Sequence, residues 1–399
     1  MSESSVFKAG CEGKSDLIVS FEPGFPGFEI VVESSIKKLF GSLIKKTAEE
    51  ACSFFGVKAG KLSIKDDGAL DFSIWARIEA VFRMSGKATS PKAQIPKREP
   101  AQKDRLRRSR LYIPGNQPDL MINAGLFGAD SIILDLEDSV APSQKVESRI
   151  LVRRMLESAS TFFPAGELIV RVNPLKGPFG RDDLMEIIPS LPHVILIPKC
   201  ETASDIVEIE QIVNQIEEKH GIQGRTLFMP LIETGKGVVN AAGVASASPR
   251  NVALCFGAED FTRDLGISRT KDGKETFLAR QQIVLAAKSA NIQAIDTVFS
   301  DVGDEAGLLS SALEAKSLGF VGKGLIHPRQ IDPVHRAFAP TEQELDDAKK
   351  IVAAFREAEK TGSGVVALGS KMIDAPVAER ARKVLDLAKK IGMKGAEEI

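Results

Sequence analysis

Apolar positions recur along this chain in two distinct ways, and the change from one to the other divides it. In the first part, DLIVSFEP (16–23) and FEIVVES (28–34) alternate apolar and polar residues. They flank the turn Pro23-Gly24-Phe25-Pro26-Gly27, which predicts a pair of half-buried strands. From Ile36 to Phe55 the apolar residues stand at 36, 39, 40, 43 and 44, a helical spacing, with Ser34 and Ser35 placed to cap its start. GKLSIKDD (60–67) predicts a third strand and ALDFSIWARIEAVFRM (69–84) a second amphipathic helix. Residues 1–87 therefore form a small α+β domain, near the lower size at which a core sustains itself.

The pattern then lapses. Residues 88–107, ATSPKAQIPKREPAQKDRLR, hold three prolines, several Lys and Arg, and little that is apolar. Such a segment favours extended polyproline conformation and predicts a semi-rigid tether, its charge run solvated or, alternatively, meeting phosphates.

From 108 to 340 the apolar runs become short and continuous, as in strands buried on both faces. They are RLYIP (110–114), DSIILDLED (130–138), ELIVRVN (167–173), HVILIPK (193–199), TLFMPLIE (226–233), VALCFGAED (252–260), QAIDTVF (293–299) and FVGKGLIHP (320–328). Segments of helical spacing, such as KVESRILVRRMLES and ASDIVEIEQIVNQIEEKHG, separate them. This alternation predicts an α/β chain built on a (β/α)8 TIM barrel. A doubly wound open sheet competes, but no G-x-G-x-x-G follows the first strand, and GKG at 235–237 and 322–324 is no phosphate loop. Residues 341–399 predict a C-terminal helical extension: a helix capped by Thr341, a Gly-rich turn, the segment SKMIDAP, and another helix.

Chemistry in a barrel gathers where the strands end. The stretch Thr226–Phe261 reads strand, helix, strand, with Glu233 after the first strand and Asp260 after the second. Two carboxylates facing one space need a cation, most simply Mg2+. They serve equally as acids favouring the dipole of the following helix. The other strand ends add Pro114, Asp135, Glu137, Asp138, Arg171, Asn173, Lys199, Asp296 and His327. Arg171, flanked by Val170 and Val172, needs a partner, either a bound carboxylate or an acid such as Glu137. An ion pair explains any one of these residues; their collection on one rim favours a site.

Composition narrows the classes. A net charge of -1 gives no general attraction for nucleic acid or an anionic membrane. One Trp and one Tyr make no stacking platform for single strands. Cys11, Cys52, Cys200 and Cys255 lie far apart and read as reduced thiols. No apolar run approaches a membrane span and no signal pattern opens the chain, so a cytoplasmic location is expected.

Two resemblances sharpen the reading. SSIKKLFGSLI and DDGALDFSIWARIEAVFR resemble the acyl carrier (γ) subunit of citrate lyase over most of residues 5–85. In that family a serine in Gly-Thr-Leu-Glu-Ser-x-Asp bears a CoA-derived arm. Here the segment is Gly10-Cys11-Glu12-Gly13-Lys14-Ser15-Asp16, which puts Lys14 at the attachment position and Ser15 one place later. Either Ser15 carries the arm after a one-residue slip, or the domain has lost it and serves as scaffold; the strict register favours the second.

RSRLYIPGN, ADSIILDLEDSVAPSQK, VRVNP, IPKCE, PLIETGKGVVNA, FGAEDFTRDLG and GKGLIHPRQI resemble, in order, the citrate lyase β-subunit family, which includes malyl-CoA and citramalyl-CoA lyases. The resemblance implies Mg2+ on Glu233 and Asp260, with Arg171 binding the oxo-acid carboxylate. Asp135, Glu137 and Asp138 would help build the pocket, and Arg110 and Pro114 would contact substrate. Asp374 of SKMIDAP would come from a neighbouring subunit as the acid/base residue, or else cap the helix at Pro376. Lys199 is a candidate for charge stabilisation; Schiff-base chemistry at Lys199 or Lys323 is the less economical route. The implied reaction is Mg2+-dependent cleavage of a citryl thioester, CoA- or carrier-linked, to an acetyl thioester and oxaloacetate. Citramalyl-CoA or malyl-CoA cleavage, releasing pyruvate or glyoxylate, is the alternative. A non-catalytic carrier or assembly subunit of a lyase complex is the reading from another class. A homotrimer, or a multiple of one, is implied.

Overall fold

The computed structural model describes residues 6–163 and 166–396. Its front part has strands β1 (Phe7–Ala9), β2 (Leu17–Glu22), β3 (Phe28–Ser34) and β4 (Gly60–Asp66), with helices α1 (Lys37–Phe54) and α2 (Asp71–Met84). The sheet order is β1-β2-β4-β3. The strands on either side of the Pro23–Gly27 turn are therefore not partners, contrary to the alternation pattern. β4 lies between them, antiparallel to β2 and parallel to β3. The reason lies in burial: Leu62 and Ile64 of β4 are buried, whereas no residue of β3 is fully buried, so β3 takes the edge. Ser34 does not cap α1. Its hydroxyl donates to Asp66 Oδ2 at 2.6 Å and accepts from Ile36 N at 3.1 Å, tying strand to strand ahead of the helix.

Eight parallel strands follow and close into a barrel. They are β5 (Ser109–Pro114), β6 (Ser131–Asp135), β7 (Glu167–Arg171), β8 (Val194–Ile197), β9 (Leu227–Ile232), β10 (Ala253–Phe256), β11 (Gln293–Asp296) and β12 (Gly322–Leu325). β12 pairs back to β5 through Gly324 and Arg110, which completes the ring. Inside it Ile133, Ile169, Val194, Leu196, Met229 and Cys255 form a compact apolar plug. Among the described residues no helix is long and apolar enough to cross a membrane.

The front domain docks on the barrel helix Lys145–Glu157 through buried charge. Glu79, 0% exposed, meets Arg153 at 2.5 Å, Arg154 at 2.7 Å and Arg83 at 3.3 Å. Arg77 bonds Asp16 at 2.8 Å, lies 3.2 Å from Glu147 and donates to the Asn116 carbonyl.

The 88–107 segment corrects the expectation of a solvated tether. It has no regular structure, yet its arginines are spent on the barrel floor, where strands begin and leave carbonyls and carboxylates unpaired. Arg107, 1% exposed, grips Glu167 in a fork at 2.7 and 2.8 Å and also donates to Gln293. Arg98 donates to the carbonyls of Leu156, Ser190 and Leu191.

This underside is acid-sensitive. His193 Nδ1 accepts from Leu168 N at 2.8 Å, which only the neutral ring can do. Burial first, then the charge of Arg98, push its pKa down to about 4. The unfolded chain, near 6.5, takes up the proton first as pH falls. Stability is therefore full above about pH 6.5 and is lost progressively toward pH 4, by on the order of 3 kcal/mol. Thermal unfolding between pH 7 and 4 should show this slope, and His193→Asn should flatten it.

The tail is helix Glu342–Lys360, hairpin β13 (Val365–Leu368) with β14 (Lys371–Asp374), and helix Ala375–Lys390. Thr341 and Glu344 form a capping box at the first helix. Leu345, Ala348 and Val352 pack against Ala381, Leu385 and Ala388, so the two helices hold each other.

Candidate active site

A cavity of about 420 Å³ opens at the C-terminal ends of the barrel strands. That is within the size range of small-molecule sites. Alternation along β5 sends Arg110, Tyr112 and Pro114 into it. The strand-end residues Asp135, Asp138, Arg171, Glu233, Asp260 and Asp296 also line it. Most of the rim predicted from sequence is thus brought together in one space, without Glu137, Asn173, Lys199 and His327.

Glu233 follows β9 directly and is 1% exposed. Lys199 adopts φ +53°, a left-handed backbone uncommon for a side chain of its size. That turn aims its N–H at Glu233 Oε1, 2.7 Å away. Gly257 permits the approach from the other side, because a Cβ there would lie 2.8 Å from Glu233. Burial, then the charges of Glu137 and Asp260, push the Glu233 carboxyl up to about 8. Asp260 lies past the end of β10, in the first turn of helix Ala258–Asp264, where it pairs with the largely exposed Arg263. An exposed pair of that kind is held weakly.

Arg171 stands at the end of β7, and its guanidinium is a hub. Nε and Nη2 fork onto Asp135 at 2.6 and 2.7 Å. Nη1 is 2.8 Å from Glu137 Oε2 and 3.5 Å from Asp138. The Glu137 contact is an ion pair without hydrogen-bond geometry, since Oε2 has no hydrogen-bond partner. Burial opposes ionisation of Asp135, but Arg171 outweighs it and holds that carboxyl below its usual range. Burial wins at Glu137 and raises it. The Lys199 ammonium donates to Glu137 Oε1 at 2.7 Å. Neither Glu137 nor Lys199 is among the residues lining the cavity. Glu137 is buried beside Arg171, whereas the Lys199 side chain is 36% exposed and bridges Glu137 and, through its N–H, Glu233.

Other expected residues lie elsewhere. Lys323 is locked to the cavity-lining Asp296 at 2.6 Å and does not itself line the cavity. His327 caps the turn Pro328–Gln330, and Asn173 bonds Leu136 and Asp183. Asp374 caps helix Ala375–Lys390, accepting from Val377 N at 3.1 Å, and is outside the cavity of its own chain. Ser15 lies in the front domain, also outside the cavity, with φ +60° and its N–H on the Asp67 carbonyl. Sequence reading missed Tyr112, whose ring stacks on Arg171 at 5.2 Å, and Thr297, whose hydroxyl oxygen accepts from Ala258 N. The inward alternation of β5 was the available signal for Tyr112.

Among the described residues no cluster of three His, Cys, Asp or Glu could hold a metal by itself. Two carboxylates converge instead, one buried and crowded by like charge. That donor set fits Mg2+, which keeps several waters and binds through one or two protein carboxylates.

Residues 108–328 match the family "HpcH/HpaI aldolase/citrate lyase", and residues 5–85 match "malonate decarboxylase delta subunit (MdcD)", an acyl-carrier-type family. Citrate lyase subunit beta of Leuconostoc mesenteroides is 42% identical over 71% of this chain and 94% of its own length. Mitochondrial citramalyl-CoA lyase of Mus musculus is 33% identical over 71% of this chain and 87% of its own. A crystal structure of protein CitE from Mycobacterium tuberculosis, in complex with magnesium, acetoacetate and coenzyme A, is 30% identical with a TM-score of 0.60. It covers 72% of this chain and 100% of that one. With a closed parallel barrel, acids and an arginine at the C-terminal ends of its strands, and these matches, the chain belongs to the HpcH/HpaI aldolase/citrate lyase family, as a citrate lyase β-like oxo-acid lyase with an acyl-carrier-type domain in front.

Proposed function

We propose that this chain cleaves a citryl thioester, CoA- or carrier-linked, to an acetyl thioester and oxaloacetate. The observation that carries the reading is one cavity that holds Glu233 and Asp260 beside the Arg171–Asp135 fork. Glu233 and Asp260 would hold Mg2+, which when bound would supply Lewis-acid polarisation of the substrate's hydroxyl. Arg171 receives the carboxylate beside that hydroxyl. Its Nη1 reaches the exposed Asp138 only at 3.5 Å, a contact the substrate replaces at little cost. Glu137 and Lys199 are positioning residues that brace Arg171 and Glu233.

Cleavage moves one proton and one electron pair. The 3-hydroxyl gives its proton to a base, and its oxygen becomes the carbonyl of the oxo acid. The breaking carbon–carbon bond delivers its pair to the thioester as an enolate, which takes a proton at carbon. Asp374 of a neighbouring copy serves as base and then acid. The hairpin that carries it presents Met372 and Val365 to solvent, 68% and 47% exposed, which supports a face made to meet a second chain. The front domain, pinned through Glu79 and Arg77, acts as a fixed scaffold, and Ser15 bears no arm.

Co-expression tests the shared site. Asp374→Asn keeps the helix cap and Glu233→Gln keeps the barrel, and each alone is inactive. In mixed oligomers of a cyclic homotrimer, roughly a quarter of the sites combine an intact barrel with an intact tail. Lyase activity should return to that extent. Mixed oligomers that stay dead would remove the neighbouring copy from the site, and an Asp374→Asn protein that is active alone would remove Asp374 from the mechanism.

A further inference from the structure

Among the described residues four basic side chains are exposed by only 1%: Arg77, Arg107, Arg110 and Lys323. Three have a carboxylate at hand, Asp16 at 2.8 Å, Glu167 at 2.7 Å and Asp296 at 2.6 Å. Arg110 has none among the described residues. Its Nη1 donates to Cys255 Sγ at 2.9 Å and to Met229 Sδ at 3.8 Å, and its Nε has no partner. Sulfur is a weak acceptor and neutralises no charge. Burial keeps the Cys255 thiol protonated, its pKa raised despite the guanidinium beside it. An unpaired buried cation is costly, and a fold keeps one where a bound anion completes it.

Its place says which anion. Arg110 lies one inward step below Tyr112 on β5, on the floor of the cavity whose mouth carries Glu233 and Asp260. Its partner across the sheet is Gly324, which adds no side chain to the floor. The acid nearest in role, Asp296, lines the same cavity but is already paired with Lys323 and Arg280. A guanidinium with a free edge at the end of a pocket matches a carboxylate.

We infer that Arg110 is the specificity residue of the site: it receives a second carboxylate on the oxo-acid half, so the substrate carries a carboxymethyl group where a shorter analogue has a methyl. This rests on the lyase reading. With the 3-carboxylate at Arg171 and the metal ligands, the carboxymethyl group reaches down to Arg110, and the oxo acid released is a dicarboxylate.

Citryl-CoA and citramalyl-CoA differ by that group alone. A site built to pair a polar group rejects the analogue lacking it by about 10⁴-fold, so the wild-type kcat/KM should favour citryl-CoA on that order. Arg110→Met suits the sulfur-lined floor and should cut this ratio at least about a hundredfold, chiefly through KM for citryl-CoA. Binding to the wild-type protein with Mg2+ gives a second reading that needs no variant: oxaloacetate should bind at least about a hundredfold tighter than pyruvate. Equal use of both thioesters, or an unchanged ratio in Arg110→Met, overturns the assignment and leaves the lyase standing. Failure to cleave either thioester overturns the lyase reading instead, and the oxaloacetate-to-pyruvate ratio then decides Arg110 alone.

Discussion

Glu233→Gln lowers kcat by on the order of 10³ or more while the protein stays folded. A metal's stabilisation of developing charge is worth several kcal/mol, and each 1.4 kcal/mol is about tenfold in rate. The substitution is isosteric, and the Gln carbonyl still accepts from Lys199 N, as Oε1 does at 2.7 Å. It also removes an acid crowded by Glu137 and Asp260. The metal-free protein should therefore melt at the same temperature or higher. Wild-type protein should gain thermal stability on adding Mg2+, and the variant should gain none. A variant that keeps Mg2+-dependent activity would remove Glu233 from the metal site.

Glu79→Ala destabilises the docked front domain by about 3–5 kcal/mol, the cost of breaking a buried ion-pair group from one side. Three arginines converge on this one fully buried carboxylate. Without it Arg153 keeps Glu186 and Glu157, but Arg154 keeps only the more distant Glu157 at 3.5 Å. The surface pair Lys45–Glu49, on an exposed face of α1, gives the contrast: its loss costs at most about 0.5 kcal/mol. Trp75, the one tryptophan, reports the event, because Arg154 stacks over its ring at 5.2 Å. Its fluorescence should change at lower denaturant than the far-ultraviolet signal of the barrel. One unshifted transition by both probes would mean that the front domain does not depend on Glu79.

The barrel was legible because its strands are buried on both faces. That burial writes each of them as a short apolar run, and the observed strands fall within the predicted stretches or one residue before them. The rim was legible for the same reason: a charge that ends an apolar run stands out, as Glu233 and Arg171 do. What distant pairing decides was not legible. β4 slips between β2 and β3 because of how its side chains are buried, and alternation cannot see that. Arg107 read as part of a solvated basic run, although Glu167 waits for it on the barrel floor. Arg110 was assigned to substrate only by resemblance. Its significance lies in the carboxylate it lacks, which a sequence does not record. Glu137 and Lys199 were expected at the site, yet neither is among the residues lining the cavity, because proximity in the motif does not say which side chains turn inward.

The proposed reaction is cleavage of a 3-carboxy-3-hydroxyacyl thioester with Mg2+. Incubating the purified chain with citryl-CoA, citramalyl-CoA and malyl-CoA, with Mg2+ and with EDTA, tests it directly, provided the intact mass of the same sample is taken. Oxaloacetate should be released from citryl-CoA, dependent on Mg2+ and abolished by EDTA, by a chain of unmodified mass. No oxo acid from any of the three, at that unmodified mass, would contradict it.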